Sequence, residues 1–478
     1  MKLAKHIFRG YDIRGVFGEE IDEEGAEVLG KAYGTFLRKR KIKHAVVGRD
    51  CRLSGEVLQN ALIKGMNSTG INVIDIGLTL SPIMYYAQYR YQTNGGVIVT
   101  ASHNPGNYNG FKLANGYSYT TESEELQEIR KIGEEGNFVS GEGTLVHRDV
   151  KEDYYNDLLK RIKLHKRMKI LIDTGNGTAG AFVPELLRKA GCEVVERNTN
   201  VDGNFPIGTP DPIDKEFLER LKRGVLEESA DIGVCFDGDG DRIGVVDDKG
   251  NIILNDTLVA IFAKEVLERF PRSKIVFNGL CTQAVTKVIE QNNGIPVMWR
   301  TGHSFIKSKI SVENATFGGE LSGHFFFVDN FYGHDDGAFA ILRLLEYLTE
   351  KNAKMSDLCE GLPKYISSPE IKIDCADDKK VRVVEKIAMK FKSDFPGMEV
   401  VDSSVIPGDD GTRIDFEDGM IIFRYSQNGP YMTVKFEAID QETYDKRRIY
   451  VKEVLESYPE IRFDGPLSVN VDSLTKDL

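Results

Sequence analysis

Short apolar runs alternate with longer amphipathic stretches over the first 365 residues, and the alternation repeats three times. In each repeat an apolar run predicts a buried strand, a glycine-containing loop follows, and an amphipathic stretch predicts a helix that ends before a second strand. The predicted strands are Lys43–Val47, Ile71–Ile76, Met168–Ile172, Cys192–Val195, Lys274–Phe277 and Ile295–Trp299. Each repeat is a βαβ unit, so the pattern predicts three similar α/β domains with mixed sheets.

Beyond residue 365 short strands dominate and helices lie between them. The predicted strands are Glu370–Asp374, Met398–Val401, Arg413–Phe416, Met420–Arg424 and Tyr431–Glu437, with helices over Lys379–Lys392 and Gln441–Tyr458. This order predicts a smaller α+β domain. The predicted domains are therefore residues 1–150, 151–253, 254–365 and 366–478. The tail from about Pro459 is given no role.

Length, charge and composition exclude several classes of protein. The 478 residues fit three or four domains at roughly 150 residues each. A formal net charge of −12 argues against a general nucleic-acid binder. Apolar stretches such as Leu258–Ala263 fall short of the roughly 18 residues of a membrane span, so no membrane association is expected. The chain start lacks a signal-peptide core and the six cysteines form no CxxC motif, which favours a cytoplasmic protein.

The motif TASHNP, residues 100–105, places Ser102 and His103 at the end of the predicted core strand Gly96–Val99. Serine, asparagine and proline are typical turn residues, so a turn is one interpretation. The other is a nucleophilic serine held where backbone groups converge on it. This motif alone leaves both open.

The motif DGDGDR follows the predicted strand Ile232–Phe236 and is the strongest chemical signal in the sequence. Its three carboxylates, Asp237, Asp239 and Asp241, can converge on one hard cation, such as Mg²⁺ or Ca²⁺. An EF-hand is rejected, because Arg242 holds the position that needs glycine. A haloacid-dehalogenase-like phosphatase is also rejected, because its aspartates would lie near the chain start. An acidic turn is the weaker alternative.

Two further loops carry polar groups suited to a sugar. In GELSGH, residues 319–324, Glu320 and Ser322 can present a carboxylate and a hydroxyl to a diol, and His324 can act as an acid or base. In TGHSFIK, His303 and Ser304 lie at the end of a predicted strand, and a helix N-cap at Ser304 is the structural alternative. A polar turn is the alternative for GELSGH.

The motif RYSQNGP, residues 424–430, combines a guanidinium, a hydroxyl and backbone N–H groups, which are phosphate-binding parts. A plain hairpin loop is an equal alternative. Arg14 and Lys112 add cations near the other motifs. Together these parts specify phosphoryl transfer: Ser102 would carry the group, the aspartates would bind Mg²⁺, and Arg14, Lys112 and Arg242 would offset charge.

These motifs, in this order over nearly the whole chain, resemble the α-D-phosphohexomutase family, and YDIRG, VVGRDCRLSG, NGFK and YGHDDG also match its phosphomannomutase/phosphoglucomutase branch. The resemblance implies four domains around a central cleft. It implies a phosphoserine at Ser102, with Mg²⁺ held by it and the three aspartates. It implies catalytic roles for His103, Lys112, Arg14, Arg242, His303 and His324, with the general acid and base among His303, His324 and Lys112. The implied substrate-binding residues are Tyr11, Glu320, Ser322, Arg424, Ser426, Gln427 and Asn428.

The resemblance further implies an intramolecular phosphotransferase that interconverts hexose 1-phosphates and hexose 6-phosphates, of mannose or glucose, through a bound 1,6-bisphosphate. Glucose 1,6-bisphosphate or mannose 1,6-bisphosphate would act as activator. The expected partner is a small-molecule hexose phosphate, and the expected assembly a monomer or weak homo-oligomer. Two alternatives stay open: a phosphoglucosamine mutase and a metal-dependent sugar-phosphate phosphatase. A silent sugar-phosphate-binding protein is disfavoured, because it should have lost Ser102 or an aspartate and this chain has not. The family often has threonines where this chain has Asn428 and Gly429, which leaves that loop's hydrogen bonds undefined.

Overall fold

The computed structural model describes residues 4–8, 10–427 and 429–475. The chain divides into two compact units. The first unit comprises Met1–Asn255 and Ser322–Glu360, and the second comprises Asp256–Leu321 and Gly361–Leu478. None of the helices in the described part of the chain combines the length and the apolarity needed to cross a membrane.

A six-stranded mixed sheet begins the first unit. Its strands, in spatial order, are Ile13–Val16, Tyr108–Asn115, Gly95–Val99, His44–Arg49, Asn72–Leu78 and Leu145–His147. Its helices are Glu23–Lys39, Gly55–Asn67, Ser81–Tyr91 and Ser123–Glu135, after a 3₁₀ turn at Lys5–Ile7. The central strands read as continuous apolar runs because both of their faces are buried.

The two antiparallel strands of this sheet were not predicted. In them, Arg14 lies opposite Gly110 and Lys112 lies opposite Ile98. Lys112 therefore sits on the strand that pairs with Gly95–Val99, which leads to Ser102, and Arg14 sits on the next strand of the sheet. This arrangement could not be predicted from the sequence, because Arg14 is far from Lys112 and Ser102 along the chain.

A five-stranded mixed sheet follows in the same unit. Its strands, in spatial order, are Ile252–Ile253, Ile243–Val246, Ile232–Phe236, Lys169–Asp173 and Glu193–Arg197. The other elements are helices Lys151–Arg161, Val183–Lys189, Lys215–Glu228, Gly337–Lys351 and Met355–Glu360, the 3₁₀ turn Thr178–Ala181 and the strand Phe325–Phe327. The strand Ile232–Phe236 is fully buried and delivers the acidic loop at its carboxyl end.

In the second unit, strand Lys274–Asn278 pairs in parallel with Ile295–Trp299 and Phe317–Gly319. Helices Asn255–Arg269, Gln283–Gln291 and His303–Glu313 accompany them. An antiparallel sheet follows, with strands Ile366–Ser367, Ile371–Cys375, Val400–Val401, Gly411–Phe416, Gly419–Tyr425, Tyr431–Ala438 and Ile461–Arg462. Its helices are Lys380–Asp394, Gln441–Glu456 and Asp472–Thr475.

The predicted fold class is confirmed: α/β domains with mixed sheets are followed by a smaller α+β domain. The predicted boundaries at residues 150, 253 and 365 stay a prediction. The described part of the C-terminal tail, residues 459–475, had no predicted role and contributes a strand to the last sheet. Ile461–Arg462 pairs with Ile371–Cys375, and Val469 makes a bridge to Lys372, so the tail covers an edge strand.

Candidate active site

Ser102 is held in a backbone conformation that a non-glycine residue rarely adopts. Its φ is +49°, in the left-handed region, and its side chain is almost completely buried. Such a conformation costs roughly 1–3 kcal/mol and persists only where the surroundings enforce it. Here the N–H of Ser102 donates to Thr100 Oγ1 at 2.9 Å. Its hydroxyl donates to Asp237 Oδ2 at 2.7 Å and lies 3.2 Å from His103 Nδ1.

Arg52 holds the serine loop in this conformation, and it was not among the predicted site residues. Its guanidinium is fully buried and pairs with Asp50. It also donates to four backbone carbonyls of the loop, those of Ser102 at 2.8 Å, Asn104 at 2.6 Å, Pro105 at 2.6 Å and Tyr108 at 2.9 Å. Arg52 belongs to the motif VVGRDCRLSG, but this motif does not indicate that Arg52 contacts Ser102, fifty residues further along the chain.

Replacing Arg52 with lysine should therefore slow turnover even though the positive charge remains. An ammonium group has three donors and cannot reproduce the planar fork that serves four carbonyls and Asp50. A displacement of about 1 Å at Ser102 costs up to about 100-fold in rate. Steady-state kinetics would measure the loss. Arg167→Lys, at an exposed ion pair, is the control. A wild-type kcat in Arg52→Lys would show that the loop holds its shape without the fork.

The acidic loop reaches Ser102 because two of its residues are glycines. A Cβ atom on Gly238 would lie 2.4 Å from the carbonyl oxygen of Ser102, and Gly240 has a φ of +74°. A side chain at Gly238 would thus push the two loops apart. The alternating glycines let Asp237, Asp239 and Asp241 place one carboxylate oxygen each within 4.8 Å of one another, all fully buried.

Two cations partly neutralise these three carboxylates. Lys112 Nζ lies 2.6 Å from Asp239 Oδ2 and 2.6 Å from Asp241 Oδ2. Arg242 Nε lies 3.0 Å from Asp237 Oδ2. Three carboxylates against two cations leave one net negative charge when all are ionised, which favours a further cation.

The pKa values of the three carboxyls reflect this imbalance. Burial, and then repulsion from the other aspartates, raises the pKa of Asp237. Burial and the charge of Asp239 also raise the pKa of Asp241. Burial opposes ionisation of Asp239 too, but Lys112 and the Ser81 hydroxyl, at 2.5 Å, outweigh it and lower its pKa. The site therefore has one firmly ionised carboxylate between two that a divalent cation would help to ionise.

The donor set fits a hard divalent cation. The second oxygens of Asp239 and Asp241 are buried and have no hydrogen-bond partner among the described residues. Buried carboxylate oxygens seldom lack a partner, so these two atoms point to an ion. Oxygen-only ligands suit Mg²⁺ or Ca²⁺ better than a soft transition metal.

The remaining predicted residues of the first unit lie near this loop. Arg14 Nη1 donates to Asn104 Oδ1 at 2.8 Å, which fixes it against the serine loop. His324 forms an antiparallel bridge with Arg242, and its Nδ1 lies 3.0 Å from Asp335 Oδ2 and 3.8 Å from Asp241 Oδ1. Tyr11 and Ser322 are half-buried.

The other predicted residues lie in the second unit in two groups. In the first, Glu320 Oε1 accepts a hydrogen bond from the N–H of Gly302 at 2.8 Å, next to His303 at the start of its helix. In the second, Arg424 and Gln427 flank Ser426, whose N–H donates to the carbonyl of Tyr431 at 2.9 Å. Asn428 lies outside the described residues.

Comparisons with known proteins agree over nearly the whole chain. Family models described as phosphoglucomutase/phosphomannomutase alpha/beta/alpha domains I, II and III match residues 5–140, 152–250 and 255–365. A phosphomannomutase/phosphoglucomutase of Pseudomonas putida is 38% identical over 96% of this chain and 98% of its own. A phosphoglucomutase of Neisseria meningitidis serogroup A is 37% identical over 96% and 98%.

A solved structure shows the same likeness in three dimensions. The crystal structure of a phosphoglucomutase/phosphomannomutase family protein from Burkholderia thailandensis has a TM-score of 0.87 and 35% identity to this chain. It covers 95% of this chain and 98% of its own.

Proposed function

The chain belongs to the phosphoglucomutase/phosphomannomutase family, and on that premise we propose that it interconverts the 1-phosphates and 6-phosphates of mannose and glucose. The observation that carries the proposal is the Ser102 hydroxyl, held 2.7 Å from Asp237 at the edge of a buried cluster of three carboxylates. A serine fixed in this way can carry a phosphoryl group, and the cluster can bind the cation that such a group requires.

The proposed cycle has two transfers. In the first, the bond between phosphorus and Ser102 Oγ breaks, a bond from phosphorus to a sugar hydroxyl oxygen forms, the hydroxyl proton leaves to a base, and Ser102 Oγ takes up a proton. The product is a hexose 1,6-bisphosphate. In the second, Ser102 Oγ takes the other phosphoryl group, its own proton leaves, and the sugar oxygen is reprotonated. Phosphoserine is restored, so no net phosphate is consumed.

Lys112 is a fixed charge in this scheme and not the base. Burial disfavours its ammonium form, but Asp239 and Asp241 outweigh burial and raise the pKa of Lys112 well above its usual value. It therefore stays protonated at neutral pH and, with Arg14 and Arg242, offsets the charge of the transferring group. The proton exchange falls to His303 or His324, while His103 positions the Ser102 hydroxyl.

Mg²⁺ is the proposed cation, held by Asp237, Asp239, Asp241 and the phosphate on Ser102. Bound there, it would polarise the phosphoryl oxygens and stabilise their charge. A hexose 1,6-bisphosphate is the proposed activator, because it can rephosphorylate Ser102.

The proposal assigns sugar hydroxyls to Tyr11, Glu320 and Ser322. It assigns the non-reacting phosphate to Arg424, Ser426, Gln427 and Asn428. A cytoplasmic location is also part of the proposal, and the six scattered cysteines, which form no CxxC motif, support it. The proposed assembly is a monomer or weak homo-oligomer.

The proposal is tested by ³¹P NMR of the purified protein with Mg²⁺ and a trace of glucose 1,6-bisphosphate. Mannose 1-phosphate, glucose 1-phosphate and glucosamine 1-phosphate are supplied in separate tubes. Conversion of the first two to 6-phosphates is the expected result. Conversion of glucosamine 1-phosphate alone would assign the chain to a phosphoglucosamine mutase, and accumulating inorganic phosphate would assign it to a phosphatase.

A further inference from the structure

A buried aspartate lies beside the predicted phosphate loop of the second unit, and no motif includes it. Asp410 is 1% exposed and directly precedes the strand Gly411–Phe416. One of its oxygens, Oδ2, lies 2.8 Å from Arg424 Nη2 and accepts a hydrogen bond from Gln427 Nε2 at 2.9 Å. A single carboxylate oxygen thus binds the side chains of two residues of the loop, Arg424 and Gln427.

We propose that Asp410 is the positioning residue of the distal phosphate site, fixing Arg424 and Gln427 in the orientation that receives the substrate's non-reacting phosphate. The inference rests on the proposed function, since it takes Arg424 and Gln427 as phosphate ligands. A carboxylate and a phosphate repel each other, so Asp410 acts through the two residues it contacts, Arg424 and Gln427.

Backbone hydrogen bonds also hold Asp410 in place. Its carbonyl accepts a hydrogen bond from the N–H of Tyr425 at 2.8 Å, and the next residue, Gly411, pairs with Arg424 in the antiparallel ladder. The strand pairing therefore sets the distance between the carboxylate and the guanidinium. The sheet therefore fixes the position of the loop of residues 424–430 more rigidly than a free hairpin would.

The geometry leaves part of Arg424 available for a ligand. Asp410 engages Nη2, whereas Nε is buried without a hydrogen-bond partner among the described residues. The Arg424 side chain is only 12% exposed. Burial disfavours its charge, but the carboxylate of Asp410 more than compensates and raises the pKa of Arg424. A guanidinium so fixed can offer further N–H groups to a phosphate without reorganising.

A purely stabilising ion pair would behave differently, and the same unit supplies one for comparison. Asp256 is also 1% exposed and lies 2.6 Å from the buried ammonium of Lys435. It also accepts a hydrogen bond from the N–H of Thr282 at 3.0 Å. None of these groups belongs to the loop of residues 424–430. Asp256→Asn is therefore a control matched for burial and for the loss of an ion pair.

The test compares KM and kcat for glucose 1-phosphate in Asp410→Ala, Asp410→Asn, Arg424→Ala and the double variant Asp410→Ala/Arg424→Ala. A charge-assisted hydrogen bond is worth about 1.5–3 kcal/mol, so Asp410→Ala should raise KM about 10-fold or more with a smaller change in kcat. Asp410→Asn keeps the shape and one acceptor oxygen and should give a smaller rise. Asp256→Asn should lower the melting temperature and leave KM unchanged.

The double variant separates positioning from general destabilisation. If Asp410 acts through Arg424, adding Asp410→Ala to Arg424→Ala should raise KM by much less than it does alone. A KM that is unchanged or lower in Asp410→Ala and Asp410→Asn, with a raised KM in Arg424→Ala, would overturn the inference and leave the phosphate site intact. An unchanged KM in Arg424→Ala would remove the phosphate site, and the inference with it.

Discussion

Replacing Ser102 with alanine is expected to lower turnover by at least about 10⁴-fold while the protein stays folded. The variant removes the only atom that can carry the phosphoryl group in the proposed cycle. Alanine is smaller than serine and adopts a positive φ at a similar cost, so the loop keeps its shape. The hydrogen bonds from Arg52 to the loop carbonyls also remain.

The measurement for this variant is kcat in the coupled mutase assay, together with the melting temperature. Ser368→Ala is the matched control, because Ser368 is equally buried and its hydroxyl accepts one hydrogen bond, from the N–H of Phe436 at 3.0 Å. The control should lose some stability and keep its activity. Substantial turnover in a folded Ser102→Ala protein would place the phosphoryl carrier elsewhere.

The second large effect is expected from Asp239→Asn. Removal of this carboxylate leaves two loop carboxylates, Asp237 and Asp241, facing Lys112 and Arg242, so the negative charge that favours a divalent cation is reduced. Mg²⁺ binding and turnover should fall together, the latter by about 10³-fold, since metal charge stabilisation is worth several kcal/mol. The fold should be retained, because asparagine keeps the shape of the side chain and Lys112 keeps its ion pair with Asp241.

Calorimetric titration with Mg²⁺ and activity in excess chelator would measure the two losses. Asp247→Asn is the control, because Asp247 is also buried and its carboxylate accepts hydrogen bonds from its own turn, such as that from the N–H of Asn251 at 2.7 Å. Full wild-type activity in chelator, or normal Mg²⁺ binding by Asp239→Asn, would refute the metal role of this cluster.

The same cluster predicts the pH dependence of metal binding. Burial and mutual repulsion raise the pKa of Asp241 to about 6 and that of Asp237 to about 8 in the metal-free site. Below these values the carboxyls hold protons that Mg²⁺ must displace, so Mg²⁺ affinity should rise as the pH rises from 6 to 8. Titrations at several pH values would check the sign. An affinity that falls over this window would contradict the charge assignment.

The site residues that could be predicted from the sequence are those that lie together in a short contiguous motif. Asp237, Asp239 and Asp241 alternate with glycine, and the alternation itself indicates that three side chains can meet. Ser102 was recognisable because an apolar strand ends next to it. The fold class followed from the repeated βαβ pattern, because strand and helix periods are local properties.

The residue roles that could not be predicted from the sequence depend on contacts that form only when the chain has folded. Arg52 reaches the Ser102 carbonyl across fifty residues, and Asp410 reaches Arg424 through a strand pairing. Lys112 was noted as a cation, but only the antiparallel return of Tyr108–Asn115 brings it to Asp239. Charge and burial at a single position do not reveal such pairs, since most lysines and arginines in a sequence are simply solvated.

The most direct test of the central claim is to follow a labelled phosphoryl group. The enzyme would be phosphorylated with ³²P from labelled glucose 1,6-bisphosphate, separated from ligand, and mixed briefly with unlabelled glucose 1-phosphate. The account predicts that label leaves Ser102, appears first in glucose 1,6-bisphosphate and then in glucose 6-phosphate, and that Ser102→Ala takes up none. Label that is released as inorganic phosphate, or that resides on another residue, would contradict it.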